Sequence, residues 1–180
     1  MLNYHSIRLY NAILLFSMIV IRIFYTFSWW WILLAPIIYT SFLIYGSIKI
    51  QANFFIESIH EAKTDNRQVA LTFDDGPIIK NTSIILDILK RNRIAATFFC
   101  IGNKIEKHPL LVQQIHREGH IIGNHSYSHH IFFDLKSLKE MQNELKQTDI
   151  LINQNIDNTP RLFRPPYGVT NPNLAKAVSI

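Results

Sequence analysis

Two aspartates, Asp74 and Asp75, stand side by side at the end of the apolar run in "LTFDDGP" (Leu71 to Pro77). Neighbouring carboxylates repel, so the pair costs stability unless something nearby offsets its charge. A single aspartate before Gly-Pro also suits a turn, but two in a row ask for more. Further along, His125 and His129 occur in "HIIGNHSYSHH", where Asn124, Ser126 and Ser128 interleave them and favour a turn over a helix. Arg164 follows in "RLFRPPYG". Two neutral imidazoles and one carboxylate form a facial ligand set for Zn²⁺ or a similar divalent ion, with positions left for water and substrate. The other carboxylate is then free to act as a general base, its charge tempered by the ion and by Arg164.

The segments that must position these residues alternate in type. "VALTF" (Val69 to Phe73) is short and apolar, as a buried strand is. Ile84, Ile85, Ile88 and Leu89 give Asn81 to Asn92 a helical stripe, with Asn81 or Thr82 as its cap. Ile94 to Gly102 reads as a second strand, and His108 to Gly119 as a helix stopped by glycine. A third strand begins at His120, and Leu135 to Gln154 is a long amphipathic helix. Arg161 to Gly168 is a fourth strand ended by two prolines, and "NPNLAKAVSI" opens another helix. Such alternation predicts an α/β fold with a parallel sheet, doubly wound or part of a barrel. The C-terminal ends of its strands meet on one face, which would gather the aspartates, the histidines and the arginine.

The chain of 180 residues holds one domain and an appendage. Its net charge of +5 is unevenly spread: residues 1–50 carry three cations and no acids, and the remainder is close to neutral. No cluster of lysine and arginine marks a folded face, which argues against nucleic-acid binding. Cys100 is the sole cysteine, so an intrachain disulfide is excluded, and its apolar setting suits a buried small side chain. From Leu9 to Ile48 the only charged residue is Arg22. Leu9 to Phe27 and Trp29 to Ile48 could each supply a span of about 20 residues, with Trp29 to Trp31 at the headgroups of a hairpin. One tilted span from Ile23 to Ile48, with Arg22 snorkelling, also fits. The expected organisation is a membrane anchor over 1–50, a linker over 51–67 and a domain over 68–180.

"TFDDGP", "HSYSH" and "RPPYG" resemble, in order and spacing, the first three motifs of the polysaccharide deacetylases (the NodB-homology domain, carbohydrate esterase family 4). The resemblance runs from about Gln68 to the end of the chain. It implies a distorted (β/α) barrel, here expected to be partial and preceded by the one or two transmembrane helices that the apolar segments suggest, and metal-dependent removal of N-acetyl groups from amino-sugar glycans. It assigns Asp74 as general base and Asp75, His125 and His129 as ligands of a divalent ion, zinc first, with cobalt or another ion as alternatives. Arg164 would orient Asp74, and the Tyr167 backbone N–H would help hold the oxyanion. Members of the family continue past the third motif to a late histidine that acts as general acid, so this chain is expected to be a C-terminally truncated member. Its alternative role is a non-catalytic remnant that keeps a metal or glycan site. The expected place is a bacterial cell membrane, with the domain facing outward.

Overall fold

The computed structural model describes residues 3–25, 28, 30–62 and 67–179. The chain divides into two compact units, Met1–Ala62 with Val169–Ala175, and Lys63–Gly168 with Lys176–Ile180.

In the first unit, the side chain of Asn3 caps helix α1 (Tyr4–Phe24) by accepting the Ser6 N–H at 3.0 Å. Tyr25 is extended and ends α1, and helix α2 spans Trp30–Ile48. The break falls inside the stretch that one continuous helix from Ile23 to Ile48 would need, so two helices form instead. Mean hydropathy reaches 1.8 in α1 and 1.7 in α2, and both are long and apolar enough to cross a membrane. Trp30 and Trp31 are exposed, while Trp29 lies outside the described residues. Hydrogen bonds from Tyr4 N–H to the Phe54 carbonyl and from Thr170 N–H to the Ser47 carbonyl, both 3.0 Å, tie the following segments to the helices.

The second unit is built on a parallel sheet ordered β1 (Thr72–Gly76), β2 (Thr97–Cys100) and β3 (Ile121–Asn124). Phe98, Cys100 and Ile122 from the strands pack with Leu86 and Leu89 of α3 (Ile79–Asn92), Ile105 of α4 (Gly102–Lys107), Val112 and Ile115 of α5 (Pro109–Arg117) and Ile152 of α6 (Leu138–Ile156). This is the hydrophobic core, and burial in it pushes the Cys100 thiol pKa up to about 12. Helix α7 (Pro172–Ala177) follows the last site segment, as "NPNLAKAVSI" suggested.

Several boundaries differ from the sequence expectation, each for a local reason. Strand β1 begins at Thr72, not Val69, because pairing with the short β2 starts at Thr72↔Thr97; Val69 is left exposed. The aspartates therefore lie within the strand rather than after it. Helix α3 begins at Ile79, so neither Asn81 nor Thr82 is its cap; the Thr82 hydroxyl instead reaches back to accept the Ile78 N–H at 2.9 Å. Helix α6 begins three residues late, at Leu138, because Ser137 and Glu140 form a capping box. Helix α4 has no counterpart in the sequence expectation, which ends a strand at Gly102. The expected fourth strand reduces to a single bridge, Asn124↔Phe163. Asn124 N–H donates to the Leu162 carbonyl and Arg164 N–H to the Asn124 carbonyl, but Pro165 and Pro166 have no N–H to extend the ladder.

Gly102 opens α4 where helix, loop and α6 meet. A Cβ there would lie 2.6 Å from Thr148 Oγ1 and 2.7 Å from Tyr127 Cδ2. Gly102→Ala should therefore cost about 1–3 kcal/mol despite alanine's better helix propensity. Denaturant unfolding checks this: a midpoint at or above that of the wild type would show that the contact yields freely.

Candidate functional site

Strand β1 carries one residue too many for its partner. Phe73 pairs with Phe98 and Gly76 with Cys100, so three steps along β1 match two along β2. The surplus is a bulge at Asp74–Asp75, with Asp75 in the left-handed region at φ 62°. In a regular strand, adjacent side chains point to opposite faces; the bulge breaks that alternation and lets both carboxylates serve one site.

Asp74 is held by Arg164. The guanidinium Nη1 donates to Asp74 Oδ1 at 2.7 Å and to the Thr72 hydroxyl at 3.0 Å. Its Cζ lies 4.1 Å from the centre of the Phe99 ring, a cation–π contact that fixes its plane. Gly123 lets Phe99 take this position, since a Cβ at 123 would lie 2.6 Å from the ring.

Asp75 faces the histidines. Its Oδ1 lies 3.2 Å from His129 Nε2 and 3.6 Å from His125 Nε2, and one donor atom from each of the three residues falls within 4.8 Å of the others. His125 Nδ1 contacts the Arg164 carbonyl at 2.7 Å. A carbonyl only accepts, so Nδ1 carries a proton, and in the neutral ring Nε2 presents its lone pair toward Asp75. Burial holds the His125 pKa below the usual imidazole range, against the Arg164 contact and the nearby carboxylates. A lone pair aimed at a carboxylate is repulsive unless a cation lies between them. The donor set thus fits a divalent ion, and its backbone-held imidazole is the arrangement metal-binding histidines use.

The loop after β3 carries both histidines and is a turn, as the interleaved serines suggested, with Ser126 at φ 62° and His129 at φ 48°. The Ser126 and Tyr127 carbonyls accept the Gly102 and Asn103 N–H groups at the start of α4, at 2.9 and 3.0 Å. Asn124 braces the loop by accepting the Ser126 N–H while donating to the Leu145 carbonyl and Asp149. Glu144, on α6, accepts the Tyr127 and Ser128 N–H groups, the Ser128 hydroxyl and the Lys136 ammonium. Tyr167, with φ 58°, sets its ring 4.9 Å from that of His129. Lys104 Nζ donates to the Asp75 carbonyl at 2.8 Å.

All six residues singled out in the sequence (Asp74, Asp75, His125, His129, Arg164 and Tyr167) thus belong to one neighbourhood. Thr72, Phe99, Lys104 and Glu144 were missed. Only Glu144 left a usable signal, a charged residue on the apolar stripe of α6 between Met141, Leu145 and Thr148.

A family model described as polysaccharide deacetylase matches residues 61–179. The chain belongs to the polysaccharide deacetylase family. A peptidoglycan-N-acetylglucosamine deacetylase of Bacillus cereus is 45% identical over 101 residues, which cover 56% of this chain and 36% of that protein. Among solved structures, the peptidoglycan deacetylase PdaC from Bacillus subtilis matches with a TM-score of 0.57 and 39% identity, over 59% of this chain and 52% of that one. A family 4 carbohydrate esterase from Streptomyces lividans, solved with acetate, matches with a TM-score of 0.58 and 37% identity, over 62% of this chain and 57% of that one. These likenesses bear out the α/β fold. The chain spans only about a third to three fifths of the length of these three relatives.

Burial alone would raise the Glu144 pKa, but its bonds to Lys136 and Ser128 outweigh burial and lower it below the usual 4.5. An acid with a depressed folded pKa stabilises the fold above its unfolded pKa and loses that contribution as pH falls through the folded value. The melting temperatures of wild type and Glu144→Gln should therefore differ fully above pH 4.5 and converge on further acidification. A gap that widens with acid would reverse the assignment.

Proposed function

We propose that this chain is a membrane-anchored, metal-dependent hydrolase that removes N-acetyl groups from amino-sugar polysaccharide, with peptidoglycan or a chitin-like oligomer as substrate. The observation that carries the reading is the convergence of Asp75, His125 and His129 beside an Asp74 held by Arg164. Family membership and the names of the relatives support the deacetylase class and an N-acetylated glycan substrate. The finer fold assignment is a partial distorted (β/α) barrel over 68–180, joined by a linker over 51–67 to an anchor over 1–50.

Asp75, His125 and His129 would hold the divalent ion, zinc first by its taste for imidazole and carboxylate, with cobalt as a substitute. When bound, such an ion polarises an amide carbonyl and acidifies water. Asp74 is the general base that takes the proton of the attacking water. Arg164 keeps Asp74 aimed, and the Phe99 ring supports Arg164. The Tyr167 backbone N–H donates to the oxygen that gains charge as the carbonyl is attacked.

The two aspartates should separate by role. His125→Ala, His129→Ala and Asp75→Asn should each weaken Zn²⁺ binding at least about tenfold, because a three-ligand site has no spare donor. Asp74→Asn should retain the metal while acetate release from N-acetylglucosamine oligomers falls by about 10²–10⁴. Calorimetric Zn²⁺ titration and an acetate assay of the same preparations decide the matter. Equal metal loss in both aspartate variants would end the division of roles. Metal binding by the wild type without acetate release would favour the non-catalytic reading.

Helices α1 and α2 support anchoring in a membrane. The bacterial cell membrane and the outward-facing domain are read from the relatives' names, which are those of bacterial peptidoglycan deacetylases. Burial of apolar spans is not an electrostatic contact that ions screen. The chain should therefore stay in the membrane pellet through high salt and alkaline carbonate, and protease added to intact cells should cleave the domain. Release by carbonate would make it a peripheral protein, and protection from protease would place the domain inside.

A further inference from the structure

We propose that Glu144 is a positioning residue for the metal-binding histidines, acting from α6 through the backbone of the loop between them. The inference rests on the metal reading of Asp75, His125 and His129. Glu144 is 8% exposed and lies outside all three sequence motifs. Its Oε2 accepts the Tyr127 and Ser128 N–H groups at 3.0 and 2.7 Å. Its Oε1 accepts the Ser128 hydroxyl and the Lys136 ammonium, at 2.7 and 2.8 Å. Three of these four donors belong to residues lying between His125 and His129.

The loop needs such an acceptor. Ser126 and His129 occupy left-handed backbone conformations that side-chain-bearing residues avoid, so the surroundings must hold the turn. The Ser126 and Tyr127 carbonyls are held by the first N–H groups of α4, and the Tyr127 and Ser128 amides by Glu144. The loop is thus gripped on both polar edges. From α4 the grip is those two backbone N–H groups together with Glu106, which accepts the Tyr127 hydroxyl at 2.9 Å. From α6 the loop amides are held by the Glu144 carboxylate alone, while the Leu145 carbonyl and Asp149 hold Asn124 at the start of the loop. A neutral amide at 144 would turn an NH₂ toward the Ser128 hydroxyl and the Lys136 cation, or toward the two loop amides.

The effect should fall mainly on His129. His125 is fixed separately, by its N–H to the Cys100 carbonyl at 3.0 Å and its ring to the Arg164 carbonyl. His129 is held by the turn itself, with its N–H donating to the Ser126 hydroxyl at 3.1 Å. Slackening the turn would move one imidazole relative to Asp75 and leave the other in place.

The test uses the 180-residue chain in detergent, titrated with Zn²⁺ against a chromophoric chelator and with Co²⁺ followed by its visible absorption, well below the melting temperature. Glu144→Gln should weaken Zn²⁺ binding about 10–100-fold, the range for groups that orient metal ligands, and should shift the Co²⁺ bands. Ser128→Ala, which removes one of the four donors, should move both readouts less in the same direction. Ile152→Val, in the buried core of the same helix, should lower the melting temperature without changing affinity or spectrum. If Glu144→Gln and Ser128→Ala behave like Ile152→Val, Glu144 is only a brace of the fold and the proposal fails. If Glu144→Gln does not fold, Ser128→Ala decides, and wild-type affinity and spectrum in it would overturn the proposal. A wild-type chain that binds neither ion sinks the metal reading itself, and is recognised before any variant is compared.

Discussion

Two negative charges one residue apart on a strand set the constraint that organises this site. Left together and unpartnered they would repel, and in regular pleating they would face opposite sides of the sheet. The extra residue in β1 brings both to one side, and each then takes a different neighbour: a guanidinium for Asp74, imidazoles for Asp75. The bond from Arg164 spans the sheet. It starts beside β3, crosses the Phe99 ring of β2 and ends on β1. Three strands must be in register before this contact exists, so the charge problem on β1 is solved by the tertiary fold and not by local sequence.

The histidine loop shows the same division between local chemistry and distant support. Its sequence supplies the imidazoles and the turn-forming serines, but its shape is imposed by α4 and α6. Close packing at Gly102 brings the start of α4 against Tyr127, and the buried carboxylate of Glu144 gathers the amides on the other side. A carboxylate in that place is costly to bury unless paired, and Lys136 with the Ser128 hydroxyl supplies the pairing.

Much of this was legible in the sequence, because the informative residues are rare types in a short-range pattern. Asp-Asp before Gly-Pro, two histidines among serines and an arginine before Pro-Pro each announce chemistry at a strand end, and strand–helix alternation places those ends on one face. What could not be read depends on pairing between distant segments. The start of β1 was misplaced because apolar character marks a candidate strand, while the partner decides which residues are in it. The sequence overstates the fourth strand because Arg161 to Phe163 look extended, yet the two prolines that follow leave a single bridge. Phe99 looked like ordinary core, and its service as a platform for Arg164 has no sequence signature. Ser137 and Glu140, by contrast, form a capping pattern that was present to be read and would have placed the start of α6.

Arg164 contributes twice, through chemically independent parts of one residue. The side chain orients a carboxylate, while the carbonyl dictates which nitrogen of His125 is free. Every amino acid carries that carbonyl, so codon changes at position 164 could abolish the first task without touching the second. The proton inventory of the imidazole is written into the path of the main chain, and is thereby shielded from most point mutations that would disable its neighbour.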